Sequence, residues 1–357
     1  MDPAQLIPTP DTIPAPWGFF ELLLILTFFA HLVFMNAMLG SAMIALVREM
    51  RAQPPDPPPC QDIASKLPYT IALAVNFGVA PLLFLQVLYG QFIYTSSILM
   101  GAYWLSIIGL LILAYYSAYI YKMAADLPAT ARKRALGVSL LLLLTIAFLF
   151  VNNITLMQTP RIWSVYFHRP DGTFLNLADP TLFARYLHFV VASVAVGGLF
   201  LAILAFFQQK TGAPGAEKRL SAGMKWFTYA TVVEIGAGIP FLFSLPKNVH
   251  QLFVGGAPLH TTLFLAALVA ACCSLYYGAK ERVWPATAAM AATVLFMVLV
   301  RDLARQAYLA PYFHPADLRV VPQWSPMFLF VAILVIGIAV VIYMLRLAAR
   351  VPGEVRR

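Results

Sequence analysis

Residues 136–152 read LGVSLLLLLTIAFLFVN, a run without a single charged side chain. A helix needs about 20 apolar residues to cross the hydrocarbon core of a bilayer, so this run predicts the centre of a membrane span. Similar apolar runs recur along all 357 residues, and short polar stretches rich in Pro or Arg separate them. This alternation is typical of a polytopic α-helical membrane protein.

The composition of the whole chain excludes most soluble classes. Hydrophobic residues make up 61% and charged residues 11% of the sequence, whereas an ordinary soluble domain carries roughly 25% charged residues. The mean hydropathy is +0.80. So few charged side chains cannot cover a water-exposed surface, which excludes a soluble enzyme, a DNA-binding domain and a small disulfide-rich fold. The chain contains no CxxCH motif, so we expect no covalently attached haem.

Apolar runs long enough to span a bilayer predict an all-α bundle of about nine transmembrane helices in a single membrane domain, residues 1–357. Pro81 and Pro240 fall inside two of these runs and are expected to kink them unless neighbouring groups satisfy the freed carbonyls. The predicted helices are 18–47, 68–94, 101–123, 135–157, 182–207, 222–245, 258–279, 284–307 and 325–347.

The distribution of Lys and Arg predicts the orientation. With nine spans, 17 of the 24 basic residues fall on one side of the membrane and 7 on the other. Cytoplasmic loops carry the excess of Lys and Arg, so the N-terminus is expected outside and the C-terminus in the cytoplasm. The seven residues on the predicted outer side are Arg161, Arg169, Arg185, Lys247, Arg301, Arg305 and Arg319.

Two histidines lie at similar depths in helices that run in the same direction. His188 is in the fifth predicted helix and His260 in the seventh, both within roughly 10 Å of the outer helix ends at 1.5 Å per residue. Bis-His ligation from two helices is a common way to hold a low-spin b haem inside a bundle. The alternative is that a histidine in a membrane helix only bonds a carbonyl of a neighbouring helix.

Four further polar residues inside the spans are candidates for chemistry. His31 lies deep in the first helix, either as a metal ligand or bonded to a neighbouring carbonyl. Glu234 is the only acid predicted deep inside a span, which favours a proton or quinone role over a packing role, because buried acids are costly there. Arg301 and Arg305 share one helix face and either hold haem propionates or extend towards the membrane interface.

Two stretches resemble subunit I of the cytochrome bd quinol oxidases. Residues 31–40, HLVFMNAMLG, are similar to that subunit's first helix, and residues 185–198, RYLHFVVASVAVGG, are similar to its fifth. The resemblance implies that His31 is an axial ligand of the active-site haem and that His188 ligates a low-spin b haem. Weaker matches are Asn76-Phe-Gly78 and the 151–160 segment, VNNITLMQTP.

The chain also departs from that family at the second low-spin ligand. The family uses a Met near the start of helix seven, but no Met occurs between Lys247 and Lys280, and His260 stands at that place. Ligation by two histidines normally lowers the haem potential relative to His–Met ligation.

Several acids of the family are missing as well. Apolar Leu295 stands where the family has a haem-binding Glu, and 104–121 contains no acid for proton delivery. The outer loop that contributes to quinol oxidation in the family is reduced here to 245–257. These departures favour electron transfer over oxygen reduction.

We therefore expect a haem b-containing electron-transfer subunit that exchanges electrons between membrane quinone and a partner redox protein. A periplasmic c-type cytochrome is expected to dock on the outer face, where His168, His250 and His314 lie. Membrane lipid and other subunits of a respiratory complex are the further expected partners, in a prokaryotic cytoplasmic membrane. The alternatives are a bd-type quinol:oxygen oxidoreductase subunit, a cofactor-free transporter or scaffold, and the quinone-binding subunit of an iron–sulfur complex.

Overall fold

The computed structural model describes residues 3–51, 61–123 and 128–350. Within them, nine helices are long and apolar enough to cross a membrane, so the predicted nine-span all-α fold is confirmed. Residues at both ends of the predicted 1–357 domain, including Arg356 and Arg357 of the charge count, lie outside the described residues. The helices are α1 Trp17–Arg51, α2 Gln61–Leu99, α3 Gly101–Met123, α4 Ala129–Met157, α5 Pro180–Lys210, α6 Ala216–Ser244, α7 Pro258–Ala279, α8 Val283–Leu309 and α9 Trp324–Arg350.

Most helices extend beyond the predicted spans. The bounds of α3 and α7 coincide with the prediction, whereas α4 begins at Ala129 and takes in a polar, basic first turn. The length of an apolar run matches the thickness of the hydrocarbon core of the bilayer. A helix can continue beyond this run into the membrane interface, where its charged side chains are solvated. The backbone of α2 departs from helical geometry at Tyr89, with φ −134° and ψ 31°, rather than at Pro81.

The predicted outer loops contain short helical segments. A 3₁₀-helix at Pro160–Phe167 follows α4, and a short helix at Lys247–Gln251 precedes α7. The N-terminal segment joins the loop before α9 through a parallel bridge, in which the Ile13 N–H donates to the Arg319 carbonyl at 3.0 Å. These segments close one end of the bundle over a buried cluster that includes Trp163.

Glycines allow α1 and α5 to pack backbone against backbone. A Cβ built on Gly40 would lie 1.7 Å from the Ser193 carbonyl oxygen, and one on Gly197 would lie 2.3 Å from the Gly40 carbonyl carbon. Small residues permit such close approach in membranes, where apolar lipid provides little hydrophobic drive for helix association. This contact holds together the two helices that carry His31 and His188.

Four helices form a ring in the second half of the chain. Helix α5 packs along α6, α6 meets α7, α7 packs along α8, and α8 returns to contact α5. Across the described residues, neither diagonal pair, α5 with α7 or α6 with α8, makes a comparable packed interface. The ring therefore places His188 and His260 on diagonally opposite helices.

Helix α9 lies at the periphery of the bundle. No residue in the most apolar 18-residue segment of α9 is buried within the protein. The ring of Phe330 meets Phe84 of α2 near the beginning of α9, at 6.3 Å between centroids. An apolar helix of this kind suits a lipid environment.

Candidate functional site

His31 of α1 is held against α2 through one nitrogen of its ring. Nδ1 lies 2.9 Å from the carbonyl oxygen of Ala74, as the alternative interpretation of this residue predicts. In a neutral imidazole, Nδ1 donates a hydrogen bond to a carbonyl only in the tautomer that leaves the lone pair on Nε2. This hydrogen bond is also the usual orienting contact of a metal-binding histidine, so it is compatible with ligation through Nε2.

Gly78 provides the space in which the His31 ring lies. A Cβ at Gly78 would be 2.9 Å from Cε1 and 3.0 Å from Nδ1 of that ring. Asn76-Phe-Gly78, a weak sequence match, therefore contributes a glycine that faces the histidine directly. Any side chain at this position must displace the imidazole.

We expect Gly78→Ala to disturb the His31 site while the fold persists. The added methyl pushes the ring from Ala74. If His31 ligates a haem, as the family resemblance implies, the absorbance component of that haem should shift or weaken in this variant and be lost in His31→Ala. Visible spectra of the reduced variants measure this effect. Gly109→Ala on α3 is the control, because a Cβ at Gly109 has nothing within 4 Å. Identical spectra for Gly78→Ala and the wild type contradict a ligand role for His31.

His188 of α5 lies against one face of α6. Its Nδ1 is 2.9 Å from Oε1 of Glu234, at ion-pair distance but without linear hydrogen-bond alignment of the ring N–H. Its ring also contacts Gly238, where a Cβ would lie 3.5 Å from Cε1, and the Phe241 ring, at 5.5 Å between centroids. The spacing of these three α6 residues puts them on one helix face.

His260 lies in a separate set of contacts at the start of α7. Gly255, with φ 99°, turns the chain before α7, and its N–H donates to Oγ1 of Thr261 at 3.0 Å. This turn places the His260 ring 5.3 Å from the Phe253 ring, and its Nδ1 is buried without a hydrogen-bond partner. Among the described side chains, no hydrogen bond or ring contact joins His260 to His188. Their joint ligation of one iron stays a prediction.

The two predicted arginines lie beside aromatic rings of other helices. The Arg301 guanidinium is 4.2 Å from the centroid of Phe28, whose ring adjoins that of His31 at 6.2 Å. The Arg305 guanidinium is 4.5 Å from the Tyr89 centroid. Arg305 is only 2% exposed, so its side chain is buried within the protein.

A third arginine, Arg185, was not predicted as a site residue. It donates to Oε1 of Gln158 at 2.8 Å and lies 5.5 Å from the Phe241 ring that adjoins His188. Arg185 thus adjoins the His188 site through the Phe241 ring, as Arg301 adjoins the His31 site through the Phe28 ring. Its sequence signal was weak, because Arg185 stands at a helix end where basic residues are common.

Acidic residues also enter the site from α1 and α8. Asp302 pairs with Arg305, and the Gln306 amide donates to Asp302 at 2.8 Å and to Glu21 of α1 at 2.6 Å. Two acids within described helices are more buried than Glu234, whose side chain is 18% exposed: Asp302 is 6% exposed and Glu49 of α1 is 1% exposed. Sequence reasoning missed Asp302 because its distance from the helix end suggested an interfacial position.

The donor set fits a haem. Buried side-chain polar atoms without a partner cost about 1–3 kcal/mol each, and several such atoms among the described residues belong to this region. Its imidazoles present ring nitrogens suited to iron, and its arginines suit carboxylates. No group of three or more His, Cys, Asp or Glu suited to a metal ion occurs in the described segments, but haem iron needs two axial ligands at most. The atoms of this kind in the candidate site are Arg185 Nε, Glu234 Oε2, His260 Nδ1 and Arg305 Nε.

The remaining histidines, His168, His250 and His314, lie outside the nine long helices. His250 stacks on Phe243 with 5.5 Å between ring centroids, and the backbone N–H of Ala316 donates to Nδ1 of His314. His168 ends the 3₁₀-helix after α4 and is exposed. None of these contacts identifies a ligand.

Comparison with known proteins identifies the architecture. The chain matches the structure of bd oxidase from Geobacillus thermodenitrificans with a TM-score of 0.62 and 14% sequence identity, covering 98% of this chain and 99% of the other. It has the bd oxidase fold. No protein-family model and no curated protein matches the sequence. The bd-like architecture of a multi-pass membrane protein is thus established, while the chemistry depends on the site.

Proposed function

We propose that this chain is a haem b-containing electron-transfer subunit of a membrane respiratory complex, exchanging electrons between quinone and a partner redox protein. The observation that carries the proposal is that His31 and His188 lie in the bd-like bundle with Nδ1 of each against an acceptor, at Ala74 and Glu234. The first contact leaves Nε2 of His31 available for ligation, and the second places a carboxylate beside the His188 ring. We further propose that 1–357 forms one membrane domain.

The residues have distinct proposed roles. His188 and His260 serve as the axial pair of a low-spin b haem, and His31 ligates a second haem. Arg301 and Arg305 bind propionate groups, for which their planar guanidinium groups offer bidentate contacts. Haem b, when bound, supplies a reversible one-electron carrier. Glu234 serves as the acid for proton or quinone chemistry.

A c-type cytochrome is the proposed partner at the outer face, in a prokaryotic cytoplasmic membrane. The basic residues of the predicted cytoplasmic side support the orientation. Loop residues His168, His250 and His314 belong to the proposed docking face, together with outer aromatic side chains. Lipid surrounds the bundle, and further subunits complete the complex.

A quinol:oxygen oxidoreductase subunit is the second candidate, favoured by the likeness to a bd oxidase. Two features weigh against it: α3 contains no Asp or Glu, and Leu295 replaces a family acid. Oxygen uptake with reduced quinol separates the two candidates. A cofactor-free transporter or scaffold leaves the orphaned imidazole and guanidinium atoms without an explanation.

The visible spectrum of the purified chain tests the proposal. We expect a Soret band and a dithionite-reduced α band, and pyridine haemochrome analysis should identify haem b. Non-covalent binding predicts extraction into acidified organic solvent, because the sequence has no CxxCH. A full-length, folded preparation reconstituted with haem that shows neither band overturns the proposal.

A further inference from the structure

The two candidate ligand histidines meet acceptors of different charge. Nδ1 of His31 faces the neutral carbonyl of Ala74 at 2.9 Å, whereas Nδ1 of His188 faces the carboxylate of Glu234 at 2.9 Å. Glu234 is itself shielded, with a side chain 18% exposed and Oε2 without a hydrogen-bond partner. A carboxylate in such surroundings interacts strongly with its neighbour, because little water screens it.

Three α6 residues keep the His188 ring in this arrangement. Glu234 contacts its Nδ1 edge, Gly238 lies beside Cε1, and Phe241 covers the ring at a tilt of 34°. A Cβ at Gly238 would be in ordinary van der Waals contact with the ring. The polar contact with Glu234 and the ring contact with Phe241 therefore orient this histidine on α6.

The charges around the two histidines differ in sign. The cationic group near His31 is Arg301, whose guanidinium is 4.2 Å from the centroid of the Phe28 ring that adjoins this histidine. Beside His188 the directly contacting charge is the Glu234 carboxylate. Arg185 lies one turn away on α5, with its charge directed to Gln158 and the Phe241 ring.

We infer that Glu234, in addition to its proposed role in proton or quinone chemistry, is a positioning residue that orients His188 and makes the His188 site the lower-potential of the two haem sites. The inference rests on the proposed function. The Glu234 carboxylate, 2.9 Å from Nδ1, places a negative charge beside the ligand in surroundings that water screens little. A nearby negative charge favours ferric over ferrous iron, so the reduction potential falls.

Potentiometric titration of the haem-loaded protein tests this assignment. The His188 component is first defined as the absorbance lost in His188→Ala. In Glu234→Gln, which removes the charge and keeps the shape, we expect that component to become about tenfold easier to reduce, a rise of about 59 mV for one electron. Glu234→Asp keeps the charge on a shorter side chain, so the potential of its His188 component should lie between those of the wild type and Glu234→Gln. Glu217→Gln, at the exposed beginning of the same helix, is the matched control and should leave the potential unchanged.

The outcomes separate this inference from the proposed function. Haem that is retained in Glu234→Gln with an unchanged potential overturns the positioning role and leaves the haem proposal intact. A wild-type chain without haem overturns the proposal itself. If Glu234→Gln does not retain haem, Glu234→Asp decides: its shorter side chain withdraws the carboxylate, so a higher potential supports the inference and an unchanged one overturns it.

Discussion

Replacing His188 with Ala should remove one low-spin b haem from the purified protein. The His188 ring contacts Glu234, Gly238 and Phe241 of α6, and the guanidinium of Arg185, the other α5 side chain beside Phe241, is not an iron ligand. The expected result is loss of one haem equivalent by pyridine haemochrome analysis and of the corresponding reduced α-band component. His168→Ala, at an exposed loop position, is the matched control and should keep the full spectrum.

His260→Ala decides whether the same iron has a second histidine ligand. If the two rings share one haem across the α5–α7 diagonal, this variant should lose the same component as His188→Ala. Loss of a different component would assign His260 to another site. A full dithionite-reduced spectrum in both variants would falsify bis-His ligation.

Gly40→Leu should disrupt the fold at the contact that joins the two halves of the candidate site. Because a Cβ at Gly40 would lie 1.7 Å from backbone of α5 rather than from a mobile side chain, the helices themselves must separate. Overpacking typically costs 1–3 kcal/mol, and we expect about 3 kcal/mol or more here because rotamer changes cannot relieve the clash. Both the His31 and His188 spectral components should weaken together.

Thermal unfolding in detergent, monitored with haem content, measures the effect of Gly40→Leu. Gly109→Leu provides the control, since nothing lies within 4 Å of a Cβ at that position and the added side chain meets open space. A Gly40→Leu protein with wild-type thermal stability and both haem components would show that α1 and α5 need not pack backbone to backbone.

His188→Ala and Gly40→Leu test two different requirements of the candidate site, a ligand and the packing of the helices that carry the ligands. His188→Ala removes a ligand from an otherwise intact bundle, whereas Gly40→Leu keeps every ligand and separates the helices that carry them. One component should therefore disappear in the first case and two should weaken in the second. This contrast distinguishes ligation from general destabilisation.

The residue pattern predicted part of the candidate site. His31, His188, His260 and Glu234 were singled out because polar groups inside apolar helices are costly and are usually retained for a reason. Arg185, Tyr89 and Asp302 were missed, because each lies near a helix end or is a residue type that is common there. Their importance appears only from their burial and their neighbours.

The number of spans and their approximate positions were determined by the amino-acid sequence, because transfer of a segment into lipid depends on local apolar content and length. Partnerships such as His188 with Glu234, or Gly40 with Ser193, were decided only by the tertiary structure. The energy of a membrane helix in lipid changes little as it rotates about its axis when all its faces are apolar. Contacts between helices, set by small residues and polar pairs, therefore select the face that each helix turns to its neighbours.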